Sequence, residues 1–312
     1  MRVSVVIPCY KDAGTLARAL DSVLGQSRPV DEIIVVNDAS PESREIEAVM
    51  GSYPQVRYII NSQNMGLAGT RNVGVERATG DVISFLDADD ELHPQKIQLQ
   101  LDLYRSDCAV ACSVARIADE RGTDRVVSYK RVLKYSMVTD SSKQVRHNTL
   151  TGASLLISRE LFLSHGGYDA ELRSCEDFDF WLRLLDAGVS VFNIDMPLYL
   201  YRINAVGLSR NFFNISYWEL MVVRKYLARC RQRGAPMKGE GITLFIWLFK
   251  HFVRYEQCRD ARILVANIQN MALLDSSPFL KQLLIMLRLT RLTWLVARIR
   301  SAQPECRAAK NG

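Results

Sequence analysis

Short apolar runs separated by polar, helix-patterned stretches organise the first third of the chain. Val3 to Ile7 reads as a buried strand that stops at Pro8, and a helix follows from about Ala13 to Gln26 with Leu16, Leu20, Val23 and Leu24 at helical spacing. Glu32 to Asn37 is a second strand, closed by Asp38, Ala39 and Ser40 before Pro41, a helix-start signal. Val56 to Ile60 is a third strand. Asn64 to Asn72 then opens a helix that reaches Ala78, and Val82 to Leu86 is a fourth strand. Strands that are apolar on both faces and alternate with helices predict a mostly parallel α/β sheet with helices on both sides and right-handed crossovers. In such sheets ligands bind beyond the carboxyl ends of the strands, so the turns after Ile7, Asn37 and Leu86 should share one edge.

The fourth strand runs directly into Asp87, Ala88, Asp89 and Asp90. Two carboxylates separated by one small residue suit a hard divalent cation such as Mg²⁺ or Mn²⁺, which would neutralise a diphosphate. A solvated acidic turn is the plainer alternative. An acidic residue after the second strand, Asp38, can accept hydrogen bonds from a base or ribose. Arg71 and Asn72 lie where they would reach the same ligand, Arg71 offering a planar fork to anionic oxygens or simply a surface salt bridge. There is no Gly-x-Gly-x-x-Gly and no Gly-Lys-Ser/Thr, which removes the main support for a dinucleotide dehydrogenase or a P-loop enzyme.

Farther on, Cys108 to Ile117 is expected as a strand and Val126 to Tyr129 as its hairpin partner. Val138 to Asn148 is expected to be a mobile surface loop, Thr151 to Ser158 a strand, and Arg159 to His165 a short helix stopped by Gly166 and Gly167. Glu176 and Asp177 open a helix continuing to Gly188. Acidic residues there favour the positive end of the helix dipole, yet a carboxylate in that position also suits a general base that takes a proton from an attacking hydroxyl. Trp181 is expected as core or as a wall facing a sugar. Val189 to Asn193 and Leu198 to Arg202 are two further strand segments, and 203–210 is a flexible loop ending in a basic residue. From Phe212 onward four helices are expected, Ile215 to Arg231, Ile242 to Tyr255, Arg259 to Leu274 and Phe279 to Arg300, none of them a plain membrane span.

Val-Val-Ile-Pro-Cys-Tyr-Lys-Asp12, Val-Asn-Asp38, Gly-Leu-Ala-Gly-Thr-Arg-Asn72, Asp-Ala-Asp-Asp90 and Cys-Glu-Asp177, in this order and spacing, resemble family 2 glycosyltransferases of the GT-A fold. The similarity spans roughly residues 1 to 202. The resemblance implies an inverting, metal-dependent transfer of a sugar from a nucleotide diphosphate donor to a hydroxyl acceptor, with Mn²⁺ or Mg²⁺ as cofactor. It implies further that Pro8, Tyr10 and Asp12 line the donor base and ribose, that Asp38 binds the base, that Arg71 helps hold the nucleotide, and that Asp87 and Asp89 form the ribose and metal site. It places the general base on Asp177, with Glu176 supporting it and, like Trp181, near the acceptor. The loop 203–210 corresponds to the family's lid, so Arg202 and Arg210 are expected to take charge developing on the leaving nucleotide. Many related chains carry a His in this region; here none occurs between Asn193 and His251, which puts a third protein ligand to the metal in doubt.

Composition and charge change this picture at the C-terminal end. The 312 residues are 48% hydrophobic, ordinary for a globular chain with a real core. Seven scattered cysteines without Cys-x-x-Cys spacing fit reduced thiols and a cytoplasmic setting, and with strand residues from Val3 no export signal is expected at the N-terminus. Residues 211–312 hold 17 Lys/Arg against 6 Asp/Glu, a net +11, which leaves 23 against 28, a net −5, for residues 1–210. The expected organisation is therefore a catalytic domain over 1–210, with a nucleotide-sugar half to about 105 and an acceptor half from about 106, then a basic helical region over 211–312. That region would serve peripheral attachment to an anionic membrane on its inner face, or homo-oligomer assembly, or carry only solvated charge. The donor is expected to be a UDP-hexose or UDP-N-acetylhexosamine and the acceptor a glycan or lipid-linked hydroxyl in cell-surface polysaccharide synthesis, with no nucleic acid partner. Two other classes stay in view. A nucleotidyltransferase would want a Gly-rich, basic loop where Pro8 to Asp12 stands, and a silent sugar-binding module would not need Asp87, Asp89, Glu176 and Asp177 together.

Overall fold

The computed structural model describes residues 1–117, 134–202, 211–258 and 263. The chain divides into two compact units, Met1–Gly207 and Leu208–Gly312. In the first, strands β1 (Val3–Cys9), β2 (Glu32–Asn37), β3 (Arg57–Ile60) and β4 (Val82–Phe85) alternate with helices α1 (Ala13–Leu24), α2 (Ser43–Met50) and α3 (Gly66–Arg77). After them come β5 (Glu91–Leu92), α4 (Lys96–Leu103), β6 (Cys108–Ile117), β7 (Tyr135–Val138) and α5 (Ser141–Gln144). A 3-10 turn at Gly152–Ser154 precedes β8 (Leu156–Ser158), α6 (Arg159–Ser164), α7 (Glu176–Asp186) and β9 (Ser190–Arg202). The strands form one sheet in the order β3-β2-β1-β4-β8-β6-β9-β5, with β7 also on β9. The parallel arrangement expected from the strand–helix alternation holds through β3, β2, β1 and β4. Past β4 the sheet is mixed: β8 is antiparallel to both β4 and β6, while β6 and β9 run parallel.

Alternation along the central strands divides the core between the two faces. Val3, Val5 and Ile7 of β1 and Ile33 and Val35 of β2 pack with Leu16, Leu20 and Val23 of α1, Ile46 of α2 and Ile97 of α4. Val6, Ile34 and Val36 point the other way and pack with Ala68 and Val75 of α3, Phe162 of α6 and Phe180, Trp181 and Leu184 of α7. On this second face Phe85, Phe162, Tyr168 and Phe180 form an aromatic cluster with ring centroids 4.8–5.7 Å apart. α3 comes close enough to β1 that a Cβ on Gly74 would meet Val6 Cγ1 at 2.2 Å.

Several sequence expectations are corrected here. Val138 to Asn148 is not a loose loop: Asp140 caps α5 by accepting from the Ser142 and Lys143 amides at 2.8 and 3.2 Å, and the buried Gln144 side chain bonds Asn148 and Thr149. Thr151 to Ser158 begins as the 3-10 turn rather than as a strand, because the Ser154 hydroxyl bonds back to the Thr151 carbonyl at 2.6 Å and competes with extension. The two segments around Pro197 are one strand, β9, and the break shows only as register shifts against β6 on either side of Ser113. Val126 to Tyr129, the helix Arg259 to Leu274 apart from residue 263, and the helix Phe279 to Arg300 lie outside the described residues.

In the second unit α8 (Phe212–Gln232) and α9 (Glu240–Cys258) pack together. Asn211 caps α8 through the Asn214 amide at 3.0 Å. Glu219 on α8 accepts from His251 Nε2 and Arg254 Nη1 on α9 at 3.1 and 2.7 Å. Ile242, Phe245, Phe249 and Val253 leave one side of α9 apolar and exposed. Among the described residues no helix is long and apolar enough to cross a membrane.

Candidate active site

The turns after β1, β2 and β4 and the start of α7 supply the chemistry-bearing residues. The backbone is strained at three of these places: among the described residues the only non-glycine residues with positive φ are Lys11 (63°) after β1, Ala39 (51°) after β2 and Cys175 (63°) just before α7. Each such residue costs on the order of 1–3 kcal/mol and persists where the surroundings fix the loop, which is common at functional sites.

Leu86 and Ala88 are buried, which turns Asp87 and Asp89 outward as half-buried carboxylates beyond the end of β4. Asp12, after β1, faces the same acidic pair. Burial and the Asp89 charge push Asp12 up to about 6, and burial and the Asp87 charge do the same to Asp89. Carboxylates raised by neighbouring carboxylates in this way are relieved by a cation. Asp90 turns inward instead, accepting from Tyr199 Oη and the Arg202 amide, both at 2.7 Å. Burial, followed by the Asp87 and Asp89 charges, lifts it well above the ordinary carboxylate range. Tyr199 Oη also accepts from the Asp87 amide at 3.1 Å, so this one phenol holds both ends of the acidic turn. The oxygen donors of Asp87 and Asp89 fit Mn²⁺ or Mg²⁺ in kind. No group of three or more His, Cys, Asp or Glu side chains among the described residues is placed to hold a metal; a divalent ion here would complete its shell with substrate oxygens and water.

Arg71 joins this acidic edge to the start of α7. Its Nη2 donates to Asp87 Oδ1 at 2.5 Å and its Nη1 to Glu176 Oε1 at 2.7 Å, and the guanidinium lies within 6 Å of the centroids of Phe85 and Tyr168. Burial opposes its charge, but the Asp87 and Glu176 carboxylates outweigh burial and raise its pKa. Glu176 is pushed up by burial despite Arg71. Its neighbour Asp177 is held from two sides: Oδ2 accepts from the Gly152 amide at 2.8 Å and Oδ1 from the Phe178 amide at 2.7 Å. Burial raises Asp177 also, against those hydrogen bonds and Arg71. Gly152 has to be glycine, since a Cβ there would lie 2.3 Å from Asp177 Cβ.

The expected site residues therefore separate into groups. Asp12, Asp87 and Asp89 meet at one edge, Tyr10 is exposed beside them in the β1–α1 turn, and Pro8 is buried within β1. Asp38 anchors the loop before α3: it is 3% exposed, and its carboxylate accepts from the Met65 and Gly66 amides at 2.7 and 2.9 Å and from Asn61 Nδ2. Arg71 has a carboxylate of the chain itself on each terminal nitrogen. Glu176 is 5% exposed and paired to Arg71, and Trp181, expected as core or as a wall facing a sugar, is 1% exposed in the core on the α3 and α7 face. Arg202 pairs with Glu91. Arg210 lies outside the described residues. Sequence reasoning missed Tyr199 and Gly152. Nothing marks one tyrosine among twelve in advance, whereas a glycine inside an apparent strand was a signal of close backbone approach.

With this geometry in view, the profile of Glycosyl transferase family 2 matches residues 4–165. A protein of Rickettsia felis described as an uncharacterized glycosyltransferase is 30% identical over 188 residues, covering 59% of this chain and 31% of that protein. TuaG of Bacillus subtilis, described as a putative teichuronic acid biosynthesis glycosyltransferase, is 29% identical over 218 residues, covering 67% of this chain and 82% of TuaG. The crystal structure of S. aureus TarS 1–349 in complex with UDP-GlcNAc superposes with a TM-score of 0.59 at 18% identity, over 80% of this chain and 71% of that one. The TarS likeness establishes a shared fold. The match spans about a third of the length of the Rickettsia felis relative.

Proposed function

Because the chain belongs to glycosyl transferase family 2, we propose that it transfers a sugar from a nucleoside diphosphate donor, a UDP-hexose or UDP-N-acetylhexosamine, to a hydroxyl of a glycan or lipid-linked acceptor. The product would enter a cell-surface polysaccharide. The complex of TarS with UDP-GlcNAc and the teichuronic acid role ascribed to TuaG support this choice of donor and product class.

The observation that carries the reading is the placement of Asp177. It stands at the positive end of α7, aimed by two backbone amides, and the buried Glu176–Arg71–Asp87 chain ties it to the acidic edge at β4. Asp177 takes the proton of the acceptor hydroxyl as the oxygen attacks the anomeric carbon from the face opposite the nucleotide. The bond from that carbon to the β-phosphate oxygen breaks as the new one forms, so configuration inverts. When bound at Asp87 and Asp89, Mn²⁺ or Mg²⁺ supplies charge neutralisation of the diphosphate. Tyr199 keeps the two carboxylates in register through the Asp87 amide and Asp90.

The test is a panel of UDP-sugars read by release of UDP, run on the wild type and on Asp177→Asn. Asn keeps the shape and the Phe178 contact but cannot take a proton, so turnover should fall by roughly two orders of magnitude with donor affinity retained. Wild-type turnover in that variant would return Asp177 to helix capping alone.

A further inference from the structure

The buried lysine of α4 has no part in the transfer chemistry, yet it lies at the foot of the turn that aims Asp177. Lys96 is fully buried, and its Nζ donates to Ser84 Oγ on β4 and Gln100 Oε1 one helical turn along α4, both at 2.8 Å. Both partners are neutral. A buried ammonium without a carboxylate is costly, and burial lowers this amine to about 8. A methionine or leucine would fill the same space without that cost, so the amine has to be explained by what it holds.

Each partner carries the contact onward to one end of the 3-10 turn. Ser84 Oγ donates to the Leu155 carbonyl at 3.3 Å. Gln100 Nε2 donates to the Ser154 carbonyl at 2.8 Å and to the Val110 carbonyl of β6 at 3.0 Å. The turn itself closes through the Ser154 amide on the Thr151 carbonyl and the Leu155 amide on the Gly152 carbonyl, both at 3.1 Å. At its other end the Gly152 amide reaches Asp177 Oδ2. Three residues of 3-10 helix have little intrinsic stability, so the position of Gly152 depends on what grips the carbonyls behind it. Lys96 fixes the side-chain amide of Gln100, which leaves both hydrogens of Nε2 directed at carbonyls, and it fixes Ser84 as a donor to the third.

We propose that Lys96 is a positioning residue for the proton transfer: through Gln100 and Ser84 it holds the Gly152–Ser154 turn in the place from which the Gly152 amide aims the Asp177 carboxylate. The proposal rests on the reading of Asp177 as the base. It concerns turnover and not donor affinity, because the acidic edge of β4 is held separately by Tyr199 and Arg71.

Lys96→Met and Ser84→Ala test it in the full chain. Hydrogen exchange followed on a peptide spanning 150–156 should be about tenfold faster at the Gly152, Ser154 and Leu155 amides in Lys96→Met, with β1 and α1 unchanged. With UDP-N-acetylglucosamine and UDP-glucose as donors and UDP release as the readout, kcat should fall about tenfold. The donor KM and the calorimetric Kd for UDP should stay within about twofold, because only the aim of the base is disturbed. Ser84→Ala removes one arm of the grip and leaves the Gln100 arm in place, so it should give a smaller loss of the same kind, and it decides the matter if Lys96→Met does not fold. Unchanged exchange over 152–155, a loosened turn with wild-type kcat, or a loss carried by KM with kcat intact would each overturn the proposal. Wild-type turnover in Asp177→Asn would instead remove the base reading itself, while the exchange result would still report whether Lys96 grips the turn.

Discussion

Asp177 and Arg71 show how single side chains are tuned by what surrounds them. Burial raises Asp177, and the Gly152 and Phe178 amides work against that rise. A base must be deprotonated to act, so kcat should be lost as pH falls through a value above the ordinary carboxylate pKa of about 4. The acid limb of the pH profile measures this; a limb at or below the ordinary value would contradict a buried base. Arg71 is constrained differently, since one guanidinium serves two carboxylates and removing it leaves Glu176 buried and unpaired. Arg71→Met should destabilise the fold by about 3 kcal/mol in denaturant unfolding. Arg71→Lys should recover only part of that, because an ammonium cannot bridge Asp87 and Glu176 in one plane. The rise of Asp12 beside Asp89, and of Asp89 beside Asp87, carries a further expectation: activity stripped by EDTA returns with Mn²⁺ or Mg²⁺, and full turnover by the stripped protein would exclude a metal role for Asp87 and Asp89.

Elements were legible where periodicity had physical force behind it. β1, β2, β4 and α1 followed from apolar runs and helical spacing because each is buried against helices or sheet over most of its length. α7 followed as well, with acidic residues in its first turn and a buried Phe178–Trp181–Leu185 face. What the pattern could not carry was pairing. The antiparallel insertion of β8 between β4 and β6 depends on pairs over 70 residues apart in sequence with β4 and over 45 apart with β6, and no local signal records it. The same gap explains the site. The acidic turn after β4 and the pair at α7 could be seen in the residues, but the use of Asp38, Arg71 and Glu176 as internal fastenings could not, because a polar residue in a motif reads alike whether it faces a ligand or another part of the chain. Packing of α3 on β1 gives a test at this scale. Gly74→Ala places a Cβ 2.2 Å from Val6 Cγ1, so α3 must shift away from the sheet, one turn beyond Arg71. A loss of about 1–3 kcal/mol is expected, with a lower melting temperature. A variant as stable as wild type would show that α3 can slide without consequence.

The whole chain carries opposite charge at its two ends, −5 over residues 1–210 and +11 over residues 211–312. An enzyme that glycosylates a lipid-linked acceptor must reach a membrane surface, and among the described residues no helix can cross one. The second unit offers both attractions a surface needs. α9 exposes Ile242, Phe245, Phe249 and Val253, and Lys281, Arg288, Arg291, Arg298 and Arg300 follow in the basic sequence beyond it, interleaved with Leu283, Leu284, Leu287, Trp294 and Leu295. Each basic residue near an anionic surface contributes about 1 kcal/mol at low salt, and the apolar residues add a term that salt does not screen. We propose peripheral attachment to the anionic inner face of the cell membrane, where co-sedimentation with anionic liposomes should be strong. Binding should weaken in high salt, fall with Phe245→Ser and Phe249→Ser together, and be lost when residues 279–312 are removed. If the intact chain ignores anionic liposomes while the truncation breaks up an oligomer, the same apolar residues serve assembly between copies of the chain, and the charge of the second unit has another use.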